Sequence, residues 1–183
     1  LDELVRSSRI IILQLEIPTG VVEHIIRKAK QYHVYTILNA APAKEMDREV
    51  LKMVDCLIVN ETEASFYAGA DMTDGDMVRA HADRLRQLTD GTVIVTLGSK
   101  GSMLLGEEGA VPIDPVKVER VTESTGAGDS YIGAFAYGKF KGMTDLQACC
   151  FAARAASVTV TKIGAQEAMP CLSEMNESRL PDV

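Results

Sequence analysis

The chain has 183 residues, 46% hydrophobic and 25% charged, with 19 Lys and Arg against 26 Asp and Glu for a formal charge of −7. That is the length of one domain and an ordinary globular composition, enough to bury a core without disulfides or a structural metal. The acidic balance argues against nucleic acid or an anionic membrane surface as the main partner, and no apolar run approaches the ~20 residues of a membrane helix.

The sequence opens at Leu1, without methionine, and reads as if entered in mid-helix; Asp2 and Glu3 stand where a signal peptide would be basic. Residues 10–16 form a β-branched run before Pro18, a first strand. Thr19 stands at a cap position, and Val22, Ile25, Ile26 and Ala29 recur at helical spacing, predicting an amphipathic helix through His33. Residues 34–39 give a second strand, 47–54 a short helix and 56–59 a third strand. One helix is expected over 74–89, with Met77, Ala80, Ala82 and Leu85 near one face and Asp90-Gly91 as its stop. Residues 92–97 form a fourth strand, and the turn Gly98-Ser99-Lys100-Gly101 leads into 102–105. Glu107-Glu108-Gly109 then reads as a hairpin turn into 110–113. Two helices follow over 126–139 and 145–161, the second capped by Thr144; beyond Pro170 the chain is polar, with at most a short helix.

Strands without polar alternation, separated by helices, imply an α/β fold: a single domain over 1–183 built on a mostly parallel sheet covered on both faces, with a small antiparallel hairpin. Ligands of such sheets gather beyond the carboxyl ends of the strands. That rule selects Glu16, Asn39, Asn60 with Glu63, Gly98 with Gly101, and the stretch from Gly126 to Asp129.

Cys56, Cys149, Cys150 and Cys171 make no C-x-x-C pair and read as reduced core thiols of a cytoplasmic protein. His24, His33 and His81 have no metal-ligand spacing, and the sequons at Asn60 and Asn176 read as chance.

The string Ser124-Thr125-Gly126-Ala127-Gly128-Asp129-Ser130 opens a helix. Its glycines let backbone approach a ligand, and the free amides and positive dipole of the helix start face an anion. Asp129 stands where a carboxylate can accept the proton of a substrate hydroxyl. The plain alternative is a glycine turn with an ordinary acidic N-cap. Tyr131 breaks the dinucleotide pattern G-x-G-x-x-G, Ile132 breaks the esterase elbow G-x-S-x-G, and the P-loop-like run from Gly133 ends in Phe140 inside a helix pattern, where its glycines read as packing residues.

Thr-Gly-Ala-Gly-Asp-Ser (125–130) running into Gly133-Ala134 resembles the signature of the ribokinase-like family of sugar and nucleoside kinases. Three further segments agree in order: Asn60-Glu61-Thr62-Glu63 resembles the family's N-x-x-E motif, Thr96-Leu97-Gly98-Ser99-Lys100-Gly101 its nucleotide loop, and Asn39-Ala40-Ala41-Pro42-Ala43 its Asn-Pro-Ala-Pro-Ala string. The resemblance implies a three-layer, doubly wound fold truncated at its N-terminus, lacking the glycine-rich sugar-binding segment and the β-lid through which members often dimerise. It implies ATP-dependent phosphorylation of D-ribose at O5; a deoxyribose, fructose or nucleoside acceptor, or a catalytically silent nucleotide-binding fragment, are the alternatives. It casts Asp129 as base, Gly126, Ala127 and Gly128 as the anion hole, and Asn60 with Glu63 as organisers of Mg²⁺ through water. Asn60, Thr96, Gly98, Ser99, Lys100, Gly101 and Gly128 would meet ATP, and Glu16 with Asp129 the sugar. A K⁺ site would draw on Glu123, Thr125, Thr159, Lys162, Gly164 and Ala168. Here the chain departs from the family, which usually has Asp at 123 and often Ser at 168.

Overall fold

Six strands form in the computed structural model, which describes residues 1–107 and 109–175; Glu108 and the tail from residue 176, with its sequon, lie outside the described residues. The strands β1 (Ile10–Gln14), β2 (Tyr35–Asn39), β3 (Cys56–Asn60), β4 (Thr92–Thr96), β5 (Ser102–Gly106) and β6 (Gly109–Ile113) stand side by side in chain order. The first four run parallel, with Gln14 beside Asn39, Asn39 beside Ile58 and Asn60 beside Thr96. The short links β4–β5 and β5–β6 are too brief for a crossover, so these strands turn back antiparallel.

The chain divides into two compact units, Leu1–Gly98 with Met103–Pro112, and Ser99–Ser102 with Ile113–Val183. In the first, each crossover from β1 to β4 steps to the next strand in the same direction. Right-handed connection therefore sets the intervening helices on one face of the sheet. These are α2 (Thr19–Gln31), α3 (Arg48–Lys52), α4 (Glu61–Ala68), α5 (Gly75–Ala80) and α6 (Ala82–Arg86). Leu13, Leu38, Leu57, Val59, Val93 and Val95 share a core with Val22, Ile26, Val50, Leu51, Ala64, Val78 and Leu85 of those helices. On the opposite face Ile37, Ile58 and Ile94 are buried too, while Ile12 on the end strand is 44% exposed. A short α1 (Asp2–Ser7) precedes β1 and packs Val5 near Ala29 and Val34.

Two sequence expectations are corrected. Pro18, not Thr19, holds the cap position of α2, and no side chain caps that helix; Thr19 lies inside it. The helix expected over 74–89 breaks at His81, whose φ of −113° and ψ of 15° leave the helical range, so α5 and α6 are separate.

In the second unit α7 (Ala127–Phe140) packs along α8 (Asp145–Thr159). Thr144 caps α8 as the sequence predicts, in a reciprocal box with Gln147. Gly138 permits the close approach: a Cβ there would stand 3.0 Å from that of Ala148. This is packing, in keeping with the rejection of a P-loop. Tyr137 stacks on Phe151 with ring centroids 5.7 Å apart. Burial pushes the Cys149 thiol up to about 12, so it stays an inert protonated core residue. The helix α9 (Leu172–Met175) ends the described chain.

Candidate active site

On the first unit, the candidate residues follow from the strand register. Asn60 ends β3 beside Thr96 at the end of β4, and Asn39 ends β2 beside Gln14, two residues before Glu16. Asn60 leaves the strand in extended conformation and caps α4, its side-chain oxygen accepting the Glu63 amide at 3.0 Å. Glu63 answers from the third helical position. Its Oε2 accepts the Asn60 amide at 2.8 Å and its Oε1 the Asn60 side-chain amide at 3.0 Å. Glu63 is only 5% exposed, and donors on both carboxylate oxygens make that burial tolerable. Asn-x-x-Glu is thus a capping box as well as a candidate metal organiser. The spacing of a capping residue and a Glu three positions on could have announced α4 from sequence alone.

A second knot lies around β1. Leu15 donates its amide to Ala41 O at 2.9 Å, Lys44 Nζ donates to Leu15 O, and Tyr67 OH donates to Lys44 O at 2.7 Å. Burial pushes the Tyr67 phenol up to about 12, which keeps it a donor. These bonds stitch the Asn39 to Lys44 loop against the end of β1, where Glu16 stays exposed. Sequence reasoning missed Lys44 and Tyr67, since nothing in their spacing marks a long-range tie.

The nucleotide-loop residues are shared between the units. Thr96 and Gly98 belong to the first; Ser99, Lys100 and Gly101 belong to the second. Gly98 opens a 3₁₀ turn at φ +54°, and Gly101 sits at φ +88°.

In the second unit Gly126 takes φ +77° as the cap of α7 and offers no side chain to that end. The Ala127 amide returns to Ser124 O at 3.2 Å, and the Ser130 amide closes the first turn on Gly126 O at 2.9 Å. Gly128 and Asp129 lie exposed in that turn, and nothing stands within 4 Å of where a Cβ on Gly128 would project. A backbone open in this way, at the positive end of a 14-residue helix, suits close approach of an anion.

The segment before α7 is tied to the one after α8. Thr122 and Glu123 both donate their amides to Val160 O, at 2.7 and 3.3 Å. Glu123 accepts the Gly164 amide at 3.0 Å and the Thr125 hydroxyl at 2.6 Å. Thr125, Thr159 and Gly164 of the expected cation set therefore gather near Glu123 or at the end of α8. Lys162 donates its amide to Thr159 O at 3.1 Å and pairs through Nζ with Glu174 at 2.6 Å. Ala168 is buried and brings only backbone oxygen.

Those two bonds, the Gly164 amide first and the Thr125 hydroxyl second, hold the Glu123 carboxyl below the usual carboxylate range. A depressed folded-state value means that the tie is whole above the ordinary value of about 4.3 and is lost as pH falls through the lowered one. In an NMR pH titration the Gly164 amide shift should step below the ordinary glutamate range in the native chain. It should show no such step in Glu123→Gln; a step that persists in that variant would detach Gly164 from Glu123.

Among the described residues no group of three or more His, Cys, Asp or Glu could hold a metal ion. One buried carboxylate with oxygen acceptors still free fits Mg²⁺, which keeps several waters and takes few protein ligands. The oxygens brought together at Glu123 are its own carboxylate, the Thr125 hydroxyl and Val160 O, which are hard donors.

The model of the pfkB family carbohydrate kinases matches residues 2–172. The chain belongs to that family. A ribokinase of Staphylococcus aureus is 34% identical over 172 residues, covering 93% of this chain and 56% of that protein. A deoxyribokinase of Salmonella typhimurium is 31% identical over 176 residues, covering 96% of this chain and 57% of that one. The structure of Arabidopsis thaliana ribokinase complexed with ribose and ATP superposes with a TM-score of 0.89 at 30% identity, over 95% of this chain and 56% of that one. The ribokinase-like α/β fold expected from the motifs is thereby shown, and with it a phosphotransferase family. The chain spans just over half the length of the curated relatives it matches.

Proposed function

We propose that this pfkB-family chain is the ATP-side part of a kinase that moves the γ-phosphoryl group of ATP to O5 of D-ribose, giving ribose 5-phosphate and ADP. The observation that carries the reading is the start of α7: an uncapped helix end with open glycine backbone and an exposed carboxylate in one turn.

In the reaction so proposed, the Asp129 carboxylate accepts the proton of the sugar hydroxyl as its oxygen attacks the γ-phosphorus. The bond from that phosphorus to the bridging oxygen breaks, and ADP leaves with the electron pair. Amides of the turn at Gly126, Ala127 and Gly128, with Ala127 turning from its bond to Ser124 O, stabilise the charge on the transferring group, which is where phosphoryl transfer needs help most. Glu63, fixed by Asn60, would hold Mg²⁺ through water, and the charge of that ion offsets the phosphates. Thr96, Gly98, Ser99, Lys100 and Gly101 would line the nucleotide. A K⁺ ion held at the Glu123, Thr125, Thr159, Lys162, Gly164 and Ala168 segments would brace the turn leading into α7. The setting so proposed is cytoplasmic, which the four free thiols support.

For the acceptor, an exposed Glu16 beside the stitched Asn39 to Lys44 loop supports a polyhydroxyl sugar, and the ribokinase similarity supports ribose. The Salmonella deoxyribokinase keeps deoxyribose as a second reading. Purified chain given ATP, Mg²⁺ and K⁺ should release ADP when ribose is added, with a higher kcat/KM than for deoxyribose or a nucleoside. ATP binding without sugar-dependent ADP release would overturn an independently active kinase, and a preference for deoxyribose would overturn the choice of sugar.

A further inference from the structure

The end of α7 that carries the proposed chemistry has no capping side chain, unlike α3, α4, α5 and α8, which are capped by Asp47, Asn60, Asp74 and Thr144. Something else must fix how that turn is rotated. Ser130 is the residue whose amide closes the turn on Gly126 O, so the turn between them contains Ala127, Gly128 and Asp129. Its side chain points inward, and Ser130 is 6% exposed. The Ser130 hydroxyl meets that of Thr159, the last residue of α8 and fully buried, at 2.7 Å. Thr159 Oγ1 also lies 3.0 Å from Ala155 O. A hydroxyl carries one proton. Thr159 Oγ1 donates to Ser130 Oγ, with Ala155 O as the second acceptor in its reach, so one buried hydroxyl ties the α7 turn to the end of α8.

We propose that Ser130 and Thr159 are positioning residues: their buried hydroxyl pair sets the rotation of the first turn of α7, and so aims Asp129 and the Gly128 amide. The inference rests on the kinase reading above. Both hydroxyls face the buried side of the turn, and each acts through the turn it holds. The placement of Thr159 adds to the effect, because the segment it begins bonds back to Thr122 and Glu123 and brings Ala165 O within 3.3 Å of where a Gly126 Cβ would stand. The pair thus closes a ring of contacts around the turn from the buried side. Water does not compete there, and small rotations of a reacting group are costly to rate.

Four proteins decide it: native, Thr159→Val, Thr159→Ser and the double variant Ser130→Ala with Thr159→Val. Thr159→Val keeps side-chain volume but leaves the Ser130 hydroxyl unpartnered; the double variant removes both polar groups and so restores stability without restoring the tie. Thr159→Val should lower kcat about 10–100-fold with KM for ATP within about twofold, and Thr159→Ser should recover most of the loss. The double variant should stay slow although it unfolds at a native-like urea midpoint. Recovery of kcat in the double variant would show that only stability was at stake and overturn the proposal. Amide hydrogen exchange of residues 127–130 needs no turnover: it should quicken about tenfold in Thr159→Val and the double variant and return in Thr159→Ser. Unchanged exchange overturns the positioning role. Absence of sugar-dependent turnover in the native chain defeats the kinase reading instead, and exchange then decides the pair by itself.

Discussion

Asp129→Asn should lower kcat for sugar-dependent ADP release about 10²–10⁴-fold, the usual worth of a positioned general base, while ATP affinity stays within about twofold. The substitution is nearly isosteric and falls on an exposed side chain in the first turn of α7, so the helix is not at risk. It does remove a negative charge from the positive end of a helix, worth roughly 0.3–1 kcal/mol of stability, too little to unfold a domain of this size. Loss of rate with retained nucleotide binding would therefore report chemistry. Asparagine cannot accept the hydroxyl proton, yet the amides around Gly128 remain, so a residue of catalysis from charge stabilisation should persist above the buffer rate. Paired isothermal titration with ATP and a coupled ADP assay separate the two quantities. An Asp129→Asn protein as fast as the native one would remove Asp129 from the role of base and leave the α7 turn as an anion site only.

Strands β2 to β4 were legible because burial on both faces leaves no polar alternation to misread, and β1, where Ile12 is 44% exposed, because its β-branched run is unbroken. Residues 10–16, 34–39 and 92–97 contain the observed β1, β2 and β4, and 56–59 falls one residue short of the end of β3. The rim followed from them, since a parallel sheet puts Asn39, Asn60 and Thr96 at the same ends of adjacent strands. Local chemistry was legible where the partner lies within a turn, as at Thr144 with Gln147. It failed at Thr19 because Pro18, lacking an amide, already serves as a helix entry, and at His81 because the apolar period continues across a backbone break. The longer ties gave no sign. Glu123 meets Gly164 forty-one positions later, and Ser130 meets Thr159 twenty-nine later. A spacing of that size has no period to betray it, and a serine at a helix start reads as easily for a solvent-facing residue. Motif resemblance named Glu123 and Thr159 as cation ligands; their side chains serve first to hold the chain to itself.

The two glycines of the nucleotide loop should part company under substitution. Both take positive φ, +54° at Gly98 and +88° at Gly101, so alanine at either must accept a left-handed backbone at about 1–2 kcal/mol. The surroundings then differ. At Gly98 the nearest atom to a new Cβ is Glu61 Oε1, 4.0 Å away, and the methyl group would meet open space. At Gly101 the Cβ would fall on the carbonyl oxygen of Ile113 and come within 2.9 Å of Pro115 N, backbone that has no rotamer with which to yield. Overpacking of that kind adds about 1–3 kcal/mol to the strain. Gly98→Ala should thus cost about 1 kcal/mol in urea unfolding and Gly101→Ala about 3 kcal/mol or more. The difference decides how each variant is to be read. In Gly98→Ala a raised Kd for ATP on an intact fold would mark a true nucleotide contact, because the added methyl group meets no protein atom and can obstruct only a ligand. In Gly101→Ala the turn into β5 is lost before any ligand arrives, and a fall in ATP binding there would speak for the backbone and not for recognition. A Gly101→Ala protein with a native-like urea midpoint would mean that the Ile113 to Pro115 backbone moves aside, and the constraint assigned to that glycine would fall.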